Sequence, residues 1–303
     1  MGYRLVQLPD ALVECHVSGP ADASGLLVFH VGTPSAAVGY GGVTAAAARR
    51  GLRTLIYSRP GYSRSTRAAG RTVADEASRT AALVDDLGFR EFFVAGWSGG
   101  GPAALACAAL LPDRVRSCLT LASPTPRLEV GAGWRAWYSD ADADELEMLA
   151  TDDRTTLVSD YEAGAREFGR TTPARLLRLG AGGPPAERRA MLGEAGLGVP
   201  LARSMRRGLR MGMWGWFDDA VAEASDWGFR VSDIRIPVVV RQGEDDRLVD
   251  ARHGRWLAAT IPGAVARILP GRGHGAILDP YSEFVDEVVE AGGGLERRAA
   301  RSG

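Results

Sequence analysis

The sequence predicts an α/β fold in which a mostly parallel central sheet carries helices on both faces. Short and almost wholly apolar runs recur along the chain, of which residues 25–30 (GLLVFH) are the clearest, and such runs are typical of strands buried on both sides. Stretches of helical length lie between these runs, and strands that alternate with helices favour a parallel sheet. Residues 127–230 contain no convincing strand, which predicts a helical region inserted between strands.

The predicted strands follow either from residue alternation or from apolar runs. Residues 3–8 and 11–16 alternate between apolar and polar side chains on either side of a Pro-Asp turn, so we expect two strands joined by that turn. The other strands are short apolar runs bounded by turn-forming residues. They are predicted at residues 25–30, 52–57, 92–94, 115–122, 236–241 and 264–269.

The predicted helices lie between these strands. An Ala-rich stretch at 43–50 stops at Gly51, a residue type that commonly ends helices. An Ala- and Leu-rich segment that begins near Ser98 ends before Pro112, and both residue types are good helix formers. The remaining helices outside the inserted region are predicted at residues 72–87, 252–260 and 280–291.

The region from residue 127 to residue 230 differs in composition from the rest of the chain. It holds an acidic patch at 140–147, Arg-rich amphipathic patches at 166–178 and 203–210, and a Gly- and Pro-rich break at 180–185. This pattern predicts several helices joined by loops. We therefore expect an α/β core made of residues 1–126 and 231–303, with residues 127–230 forming a helical cap, or lid.

Composition and charge restrict the partners that the chain can have. Its 303 residues are 46% hydrophobic, as in ordinary globular proteins, and a net charge of -1 leaves no basic footprint for a nucleic acid. The amino terminus lacks the charged start and apolar core of a secretory signal, and no apolar run is long enough to cross a bilayer. We expect a cytoplasmic protein that acts on a small molecule, without nucleic-acid or membrane partners.

The three cysteines, Cys15, Cys107 and Cys118, do not have the spacing of a metal site. Each lies in a predicted apolar strand or helix, so we expect buried and reduced thiols. Neither a metal nor a cofactor is expected.

The stretch from Glu91 to Leu111 (EFFVAGWSGGGPAALACAALL) carries the strongest functional signal. A predicted strand runs into G-x-S-x-G at residues 96–100 and a predicted helix follows, which is the context of a nucleophile elbow. In such a turn Ser98 adopts a strained backbone conformation, and side chains at 96 and 100 would collide with neighbouring backbone. The amino end of the helix directs N–H groups and partial positive charge toward an anion that forms there. Ser98 is therefore the candidate nucleophile.

A serine nucleophile needs a base, and the chain contains four histidines: His16, His30, His253 and His274. His16 lies in a predicted strand and His253 in a predicted helix, so packed or surface roles are expected for both. His30 is expected to be a structural turn histidine. His274 follows the last predicted strand in a Gly-rich loop, from which it can reach across the sheet edge, so it is the candidate base.

The acid that orients the base should lie between Ser98 and His274, which is the chain order that accompanies a nucleophile elbow. Three consecutive carboxylates, Glu244, Asp245 and Asp246, follow a predicted strand. Asp246 is favoured because Gly-x-x-Asp at such a strand end aims its fourth residue at the site. Asp245 and Glu244 remain alternatives.

Five segments, taken together in this order, resemble the α/β-hydrolase-fold superfamily of esterase- and lipase-like serine hydrolases. They are VFHVGTP at 28–34, SRPGYSRS at 58–65, GWSGGGP at 96–102, GEDDRLV at 243–249 and GRGHG at 271–275. The resemblance spans nearly the whole chain apart from the cap. It implies that Ser98, Asp246 and His274 form a catalytic triad.

The resemblance also implies an oxyanion hole made by the backbone N–H groups of Gly99 and Thr33. The superfamily usually has a histidine directly before the glycine of its H-G-x-P motif, whereas this chain has Val31 there and His30 one place earlier. Because of this departure, Gly32 is an alternative to Thr33 as the second donor.

The activity implied by the resemblance is serine hydrolysis of an ester-like bond through an acyl-enzyme. Haloalkane dehalogenases and epoxide hydrolases of this fold need Asp where Ser98 stands, so both are disfavoured. A proline-releasing aminopeptidase would use acidic cap residues to hold the substrate amine, although a solvated helix face is the commoner meaning of such residues. Acidic residues of the cap are Asp140, Asp142, Asp144, Glu145 and Glu147.

Two further interpretations remain open. Cofactor-free lyases, C–C hydrolases and perhydrolases of this fold use the same three residue types, and a ligand-binding member can keep the elbow while turning over poorly. Apolar substrates are favoured because the cap is rich in aromatic residues, most of them expected to pack and some to line the pocket. These are Trp134, Trp137, Tyr138, Trp214, Trp216, Phe217, Trp227 and Phe229. Arg59 is expected to hold backbone and carboxylate groups of the core rather than substrate.

Overall fold

The computed structural model describes residues 2–179, 185–192 and 196–295, in which eight strands form one sheet. The strands are β1 (Gly2–Gln7), β2 (Leu12–Ser18), β3 (Gly25–His30), β4 (Leu52–Tyr57), β5 (Phe92–Trp97), β6 (Val115–Leu121), β7 (Val238–Gly243) and β8 (Val265–Leu269). Their order across the sheet is β1-β2-β4-β3-β5-β6-β7-β8. Strand β2 pairs antiparallel with both β1 and β4, and all the other pairs are parallel. The mostly parallel sheet predicted from the apolar runs is therefore confirmed.

Helices lie on both faces of this sheet and within the region inserted between β6 and β7. They are α1 (Gly41–Arg49), α2 (Asp75–Asp86), α3 (Gly101–Leu110), α4 (Arg127–Val130), α5 (Asp140–Leu149), α6 (Val158–Phe168), α7 (Pro173–Leu179), α8 (Pro185–Leu192), α9 (Gly198–Gly208), α10 (Trp214–Ala224), α11 (Ala251–Thr260) and α12 (Tyr281–Ala291). Leu83 of α2, Leu105 of α3 and Leu257 of α11 pack into one core. Val43 of α1 and Phe284 of α12 pack into a second core.

The central strands are apolar throughout because their alternate residues enter different cores. In β3, Leu26 and Val28 pack into the core shared with α2, α3 and α11, whereas Leu27 and Phe29 pack into the core shared with α1 and α12. All four side chains are completely buried. Strand residues point alternately to opposite faces, so a strand covered on both sides needs apolar residues at every position.

Helices and short 3-10 turns, without a strand, make up the described part of the inserted region, residues 127–230. A small core built on Tyr161, Leu209 and Phe217 packs α6 against α10. Residues 180–184, which include most of the predicted Gly- and Pro-rich break, lie outside the described residues.

The cysteines match their expectation. Cys15, Cys107 and Cys118 are free and buried, and burial raises the pKa of Cys15 and Cys107 to about 12. These thiols therefore stay protonated at neutral pH. Among the helices of the described residues, none combines the length and the apolar character that a membrane span requires.

Candidate active site

The sheet topology brings three of the predicted site residues to one edge. Ser98 directly follows β5, Asp246 lies in the loop after β7, and His274 lies in the loop after β8. These strands are parallel members of one sheet, so their carboxyl ends meet at the same edge, where open α/β sheets bind ligands.

The chain turns sharply at Ser98 because two glycines allow backbone segments to come very close. A side chain at Gly96 would overlap the carbonyl of Gly100, and a side chain at Gly100 would overlap the carbonyl of His30. Both positions therefore require glycine. Ser98 itself has a φ of 54°, which is rare for a residue with a side chain and is typical of strained functional turns.

Gly32 packs directly against the candidate nucleophile. A Cβ at Gly32 would lie 2.8 Å from Ser98 Cβ and 3.3 Å from Ser98 Oγ. The partly exposed Ser98 hydroxyl makes no hydrogen bond within the described residues, including to His274. The neighbouring Trp97 connects the two segments, since its Nε1 donates a hydrogen bond of 3.1 Å to the His274 carbonyl and its ring lies 5.5 Å from the imidazole.

His274 and Asp246 form a pair in which the Asp246 side chain is fully buried and the His274 side chain is 12% exposed. His274 Nδ1 lies 2.9 Å from Asp246 Oδ2, and the other carboxylate oxygen accepts hydrogen bonds from the N–H groups of Leu248 and Val249, at 2.8 and 3.0 Å. Burial disfavours charge on both groups. Their mutual attraction and hydrogen bond outweigh it, which raises the pKa of His274 and lowers the pKa of Asp246.

The structure distinguishes Asp246 from the two carboxylates before it. Asp246 is buried, whereas Glu244 and Asp245 are exposed, and Glu244 forms an ion pair of 2.8 Å with Arg255. Successive side chains of the loop leave in different directions, and of these three only Asp246 is hydrogen-bonded to His274.

The turn after β3, which contains the predicted second oxyanion donor, is held by a buried arginine. Arg59 Nη1 donates a hydrogen bond of 2.6 Å to the Val31 carbonyl, and Arg59 Nη2 donates one of 2.9 Å to Thr33 Oγ1. The N–H groups of Gly32 and Thr33 donate no hydrogen bond within the described residues, so both are available. The Arg59 side chain is only 5% exposed, so it contacts groups of the core rather than solvent.

Arg59 belongs to a buried ionic network that the sequence analysis did not identify. Asp219 of α10 accepts hydrogen bonds from Arg59, Arg71, Tyr62 and Thr33, among them bonds of 2.6 Å from Arg59 Nη2 and 2.8 Å from the Tyr62 hydroxyl. Burial opposes ionisation of Asp219, but the two arginines outweigh it and lower its pKa to about 2. The sequence feature that could have indicated this network is the adjacent pair Asp218–Asp219, which stands within the apolar, aromatic run MGMWGWFDDAV.

The remaining histidines lie in packed environments. His30 lies at the end of β3 rather than in a turn, with Nε2 3.9 Å from Cys107 Sγ, and burial lowers its pKa to about 3. This corrects the expectation of a turn histidine: His30 is the last residue of the strand, whose bounds match the predicted 25–30, and its side chain is buried in the core. His253 in α11 is buried beside Thr125, and burial lowers its pKa to about 4. His16 in β2 packs edge-on against Tyr3.

The acidic patch predicted at 140–147 is mostly a solvated face of α5. Asp140, Asp142, Asp144 and Glu147 are exposed, and Arg135 pairs with both Asp144 and Glu147 at 2.6 and 2.7 Å. Glu145 is partly buried and accepts a hydrogen bond of 2.7 Å from the Tyr161 hydroxyl. No cluster of His, Cys, Asp or Glu that could hold a metal ion is found among the described residues.

The aromatic residues of the inserted region mainly serve packing. Trp227 is almost completely buried in the core shared with α2 and α3, and Trp216 and Phe217 pack around Tyr161. Trp214 is covered by the Arg67 guanidinium, which lies 3.8 Å from the centre of its ring. Among the other members, Trp137 and Tyr138 contact His253 edge-on, Trp134 packs against Tyr138, and Phe229 packs against Trp227.

A family model described as alpha/beta hydrolase fold matches residues 25–281 of the chain. Among curated relatives, the pimeloyl-[acyl-carrier protein] methyl ester esterase of Stenotrophomonas maltophilia is 30% identical over 203 residues, which make up 65% of this chain and 65% of that protein. The protein of the same name from Nitrosomonas europaea is 26% identical over 213 residues, 68% of this chain and 73% of that protein. The chain thus spans 65% of the length of the first of these relatives.

Solved structures share the fold over almost the whole chain. An alpha/beta hydrolase fold protein from Chitinophaga pinensis superposes with a TM-score of 0.68 at 18% identity, covering 94% of this chain and 95% of that chain. The enol-lactonase from Burkholderia xenovorans LB400 has a TM-score of 0.64 at 18% identity, covering 95% and 99%. These similarities are to the architecture of the sheet and its helices.

Proposed function

The chain belongs to the alpha/beta hydrolase fold family, and from this premise we propose that it is a serine hydrolase that cleaves an ester-like bond of a small, largely apolar substrate. The main support is the hydrogen bond of 2.9 Å between His274 Nδ1 and Asp246, at the same sheet edge where Ser98 is held at a φ of 54°. A strained serine and an oriented imidazole are the groups from which an activated hydroxyl nucleophile is built. The esterase names of the curated relatives favour an ester as the substrate.

In the proposed reaction, His274 Nε2 accepts the hydroxyl proton of Ser98 as the oxygen attacks the substrate carbonyl. Asp246 accepts the Nδ1–H bond, which fixes the tautomer that leaves Nε2 able to act as a base, and it stabilises the imidazolium that forms. The proton then passes to the leaving alcohol. Water, activated by the same imidazole, releases the acyl group and regenerates Ser98.

The oxyanion of the tetrahedral intermediate is proposed to accept hydrogen bonds from the backbone N–H groups of Gly99 and Thr33, with Gly32 as the alternative to Thr33. Arg59 supports this role indirectly, because it holds the Val31 carbonyl and the Thr33 hydroxyl within the same turn. Residues 127–230 are proposed to act as a cap over the site. Each backbone donor of this kind typically contributes a factor of about 10²–10³ in rate.

The experiment that tests the proposal is labelling of the purified protein with a fluorophosphonate probe, followed by intact-mass and peptide mass spectrometry. We expect one time-dependent adduct, on Ser98, and none in Ser98→Ala. The same two proteins are then compared on p-nitrophenyl esters of increasing acyl length, with hydrolysis expected only for the wild type. A folded wild type that remains unlabelled and hydrolyses none of the esters would contradict the proposal.

A further inference from the structure

A second carboxyl of α10, Glu223, lies beside the nucleophile turn. A Cβ at Gly99 would be 2.8 Å from Glu223 Oε1 and would also overlap Thr33 Oγ1. The absence of a side chain at 99 therefore allows the Glu223 carboxyl to approach the residue whose N–H directly follows the nucleophile. No pattern in the sequence indicates this contact, because the two residues are brought together only by the folding of α10 over the turn.

The Glu223 carboxyl has no partner of its own. It makes no hydrogen bond or ion pair within the described residues, although its backbone carbonyl accepts a bond of 3.1 Å from Trp227 Nε1. Asp219 lies one helical turn earlier in α10 and forms ion pairs with both nearby arginines, Arg59 and Arg71. Arg71 and Arg79 each lie 3.7 Å from Glu76, so the arginines of this network face Asp219 and Glu76. None of them forms an ion pair with Glu223 within the described residues.

The surroundings of Glu223 favour its neutral form. Burial and the nearby charge of Asp219 raise the pKa of Glu223 to about 8, against the opposing effect of Arg59 and Arg71. Tyr138 and Tyr161 are the other titratable groups that face this carboxyl, and both stay neutral because burial raises their pKa values above the usual range. At neutral pH the side chain is therefore a carboxylic acid that carries one O–H donor.

We propose that Glu223, as a neutral acid, is a third hydrogen-bond donor to the oxyanion, alongside the backbone N–H groups of Gly99 and Thr33; this rests on the proposed serine hydrolysis. Its carboxyl approaches the turn that carries the Gly99 N–H, the first proposed oxyanion donor, and a further donor to the developing charge would lower the barrier. Glu223 keeps its proton throughout, and no bond of Glu223 is formed or broken. A carboxylate at the same position would repel the oxyanion, so protonation controls the rate.

The test compares wild type with Glu223→Gln and Glu223→Ala, and uses Glu147→Gln, an exposed residue of α5, as the matched control. The readouts are kcat/KM on a neutral p-nitrophenyl ester and the second-order rate of Ser98 labelling by a fluorophosphonate, each as a function of pH. We expect the wild-type rates to fall as pH rises through about 8. Glu223→Gln keeps an N–H donor but does not titrate, so its rates should stay level over that range.

Glu223→Ala removes the donor and should lower kcat by about 10² below the transition, with little change in KM. The Glu147→Gln control should reproduce the wild-type profile. The inference is overturned if wild type and Glu223→Gln share the same alkaline decline, or if Glu223→Ala matches wild type below it. It is also overturned if the Gln variant loses activity only on esters that carry an amine, since Glu223 would then bind a substrate cation.

Failure of the proposed function would look different from failure of this inference. In the first case the wild type shows neither a Ser98 adduct nor ester hydrolysis at any pH. In the second case the wild type is labelled and active, but kcat/KM and the labelling rate depend neither on the protonation of Glu223 nor on its substitution. Titration of Glu223 followed by carbon NMR gives a readout that does not depend on turnover, and a midpoint in the ordinary range for glutamate would also overturn the inference.

Discussion

Asp219 Oδ2 of α10 lies 2.6 Å from Arg59 Nη2, and both side chains are at most 5% exposed. This ion pair connects the helical region inserted between β6 and β7 with the turn after β3. Arg59 in turn donates hydrogen bonds to the Val31 carbonyl and the Thr33 hydroxyl in that turn. The turn proposed to supply an oxyanion donor is therefore positioned by a residue that lies far away in the sequence.

Replacement of Asp219 by Asn should lower the free energy of unfolding strongly. The change leaves Arg59 and Arg71 buried without their shared counter-charge, a loss that typically costs about 3–5 kcal/mol. Asp218→Asn is the matched control, because its partner Arg67 is 37% exposed and can be solvated, so this change should destabilise the fold less than Asp219→Asn. Urea denaturation of both variants measures the difference. Equal destabilisation by the two would show that the buried network does not carry the stability assigned to it.

Asp246→Asn should decrease kcat/KM by about 10⁴, because the imidazole loses its orienting acceptor and its cationic form loses a partner. Asp245→Asn and Glu244→Gln should alter kcat/KM only mildly, since both carboxylates are exposed. The three variants are measured on one ester, with folding checked by circular dichroism. A severe loss in Asp245→Asn together with near wild-type activity in Asp246→Asn would assign the acid to the neighbouring residue.

The acid side of the pH–rate profile should report His274. The base acts only when neutral, and Asp246 raises its pKa above 6.5, so kcat/KM should rise with pH through a midpoint above that value. In Asp246→Asn the remaining activity should have a lower midpoint, because the attraction that stabilised the imidazolium is gone. Profiles of the two proteins on the same ester provide the comparison. An unchanged midpoint in the variant would mean that another group controls this limb.

Ser98→Gly should be more stable than Ser98→Ala, although both are inactive. Residue 98 has a φ of 54°, which alanine adopts at a cost and glycine adopts freely. The relief of strain exceeds the extra chain entropy of glycine in the unfolded state, and the net gain should be about 1 kcal/mol. Thermal denaturation of the pair measures it. If the glycine variant were the less stable of the two, the turn would not store strain.

The alternation of apolar runs and helical stretches was sufficient to predict the sheet, because burial on both faces leaves a local pattern in strands such as β3. The elbow was also predictable, since Gly96 and Gly100 are required by close backbone approach at fixed positions around Ser98. Asp219 was not predictable in the same way. It lies 160 residues from Arg59, and no local period links the two. Glu223 was missed for the same reason, because its contact with the nucleophile turn depends on the absence of a side chain at Gly99.

The buried network also limits how freely the parts of this protein can be exchanged. A chimera that takes its inserted helices from another family member would bring a new residue to position 219, while Arg59 and Arg71 stay in the core. Without a carboxylate there, Arg59 would be buried without an ion-pair partner and Arg71 would keep only Glu76 at 3.7 Å, so the recombined protein would fold poorly. A workable junction must therefore keep Asp219 together with both arginines, although Asp219 lies 160 residues from Arg59 and 148 residues from Arg71 along the chain.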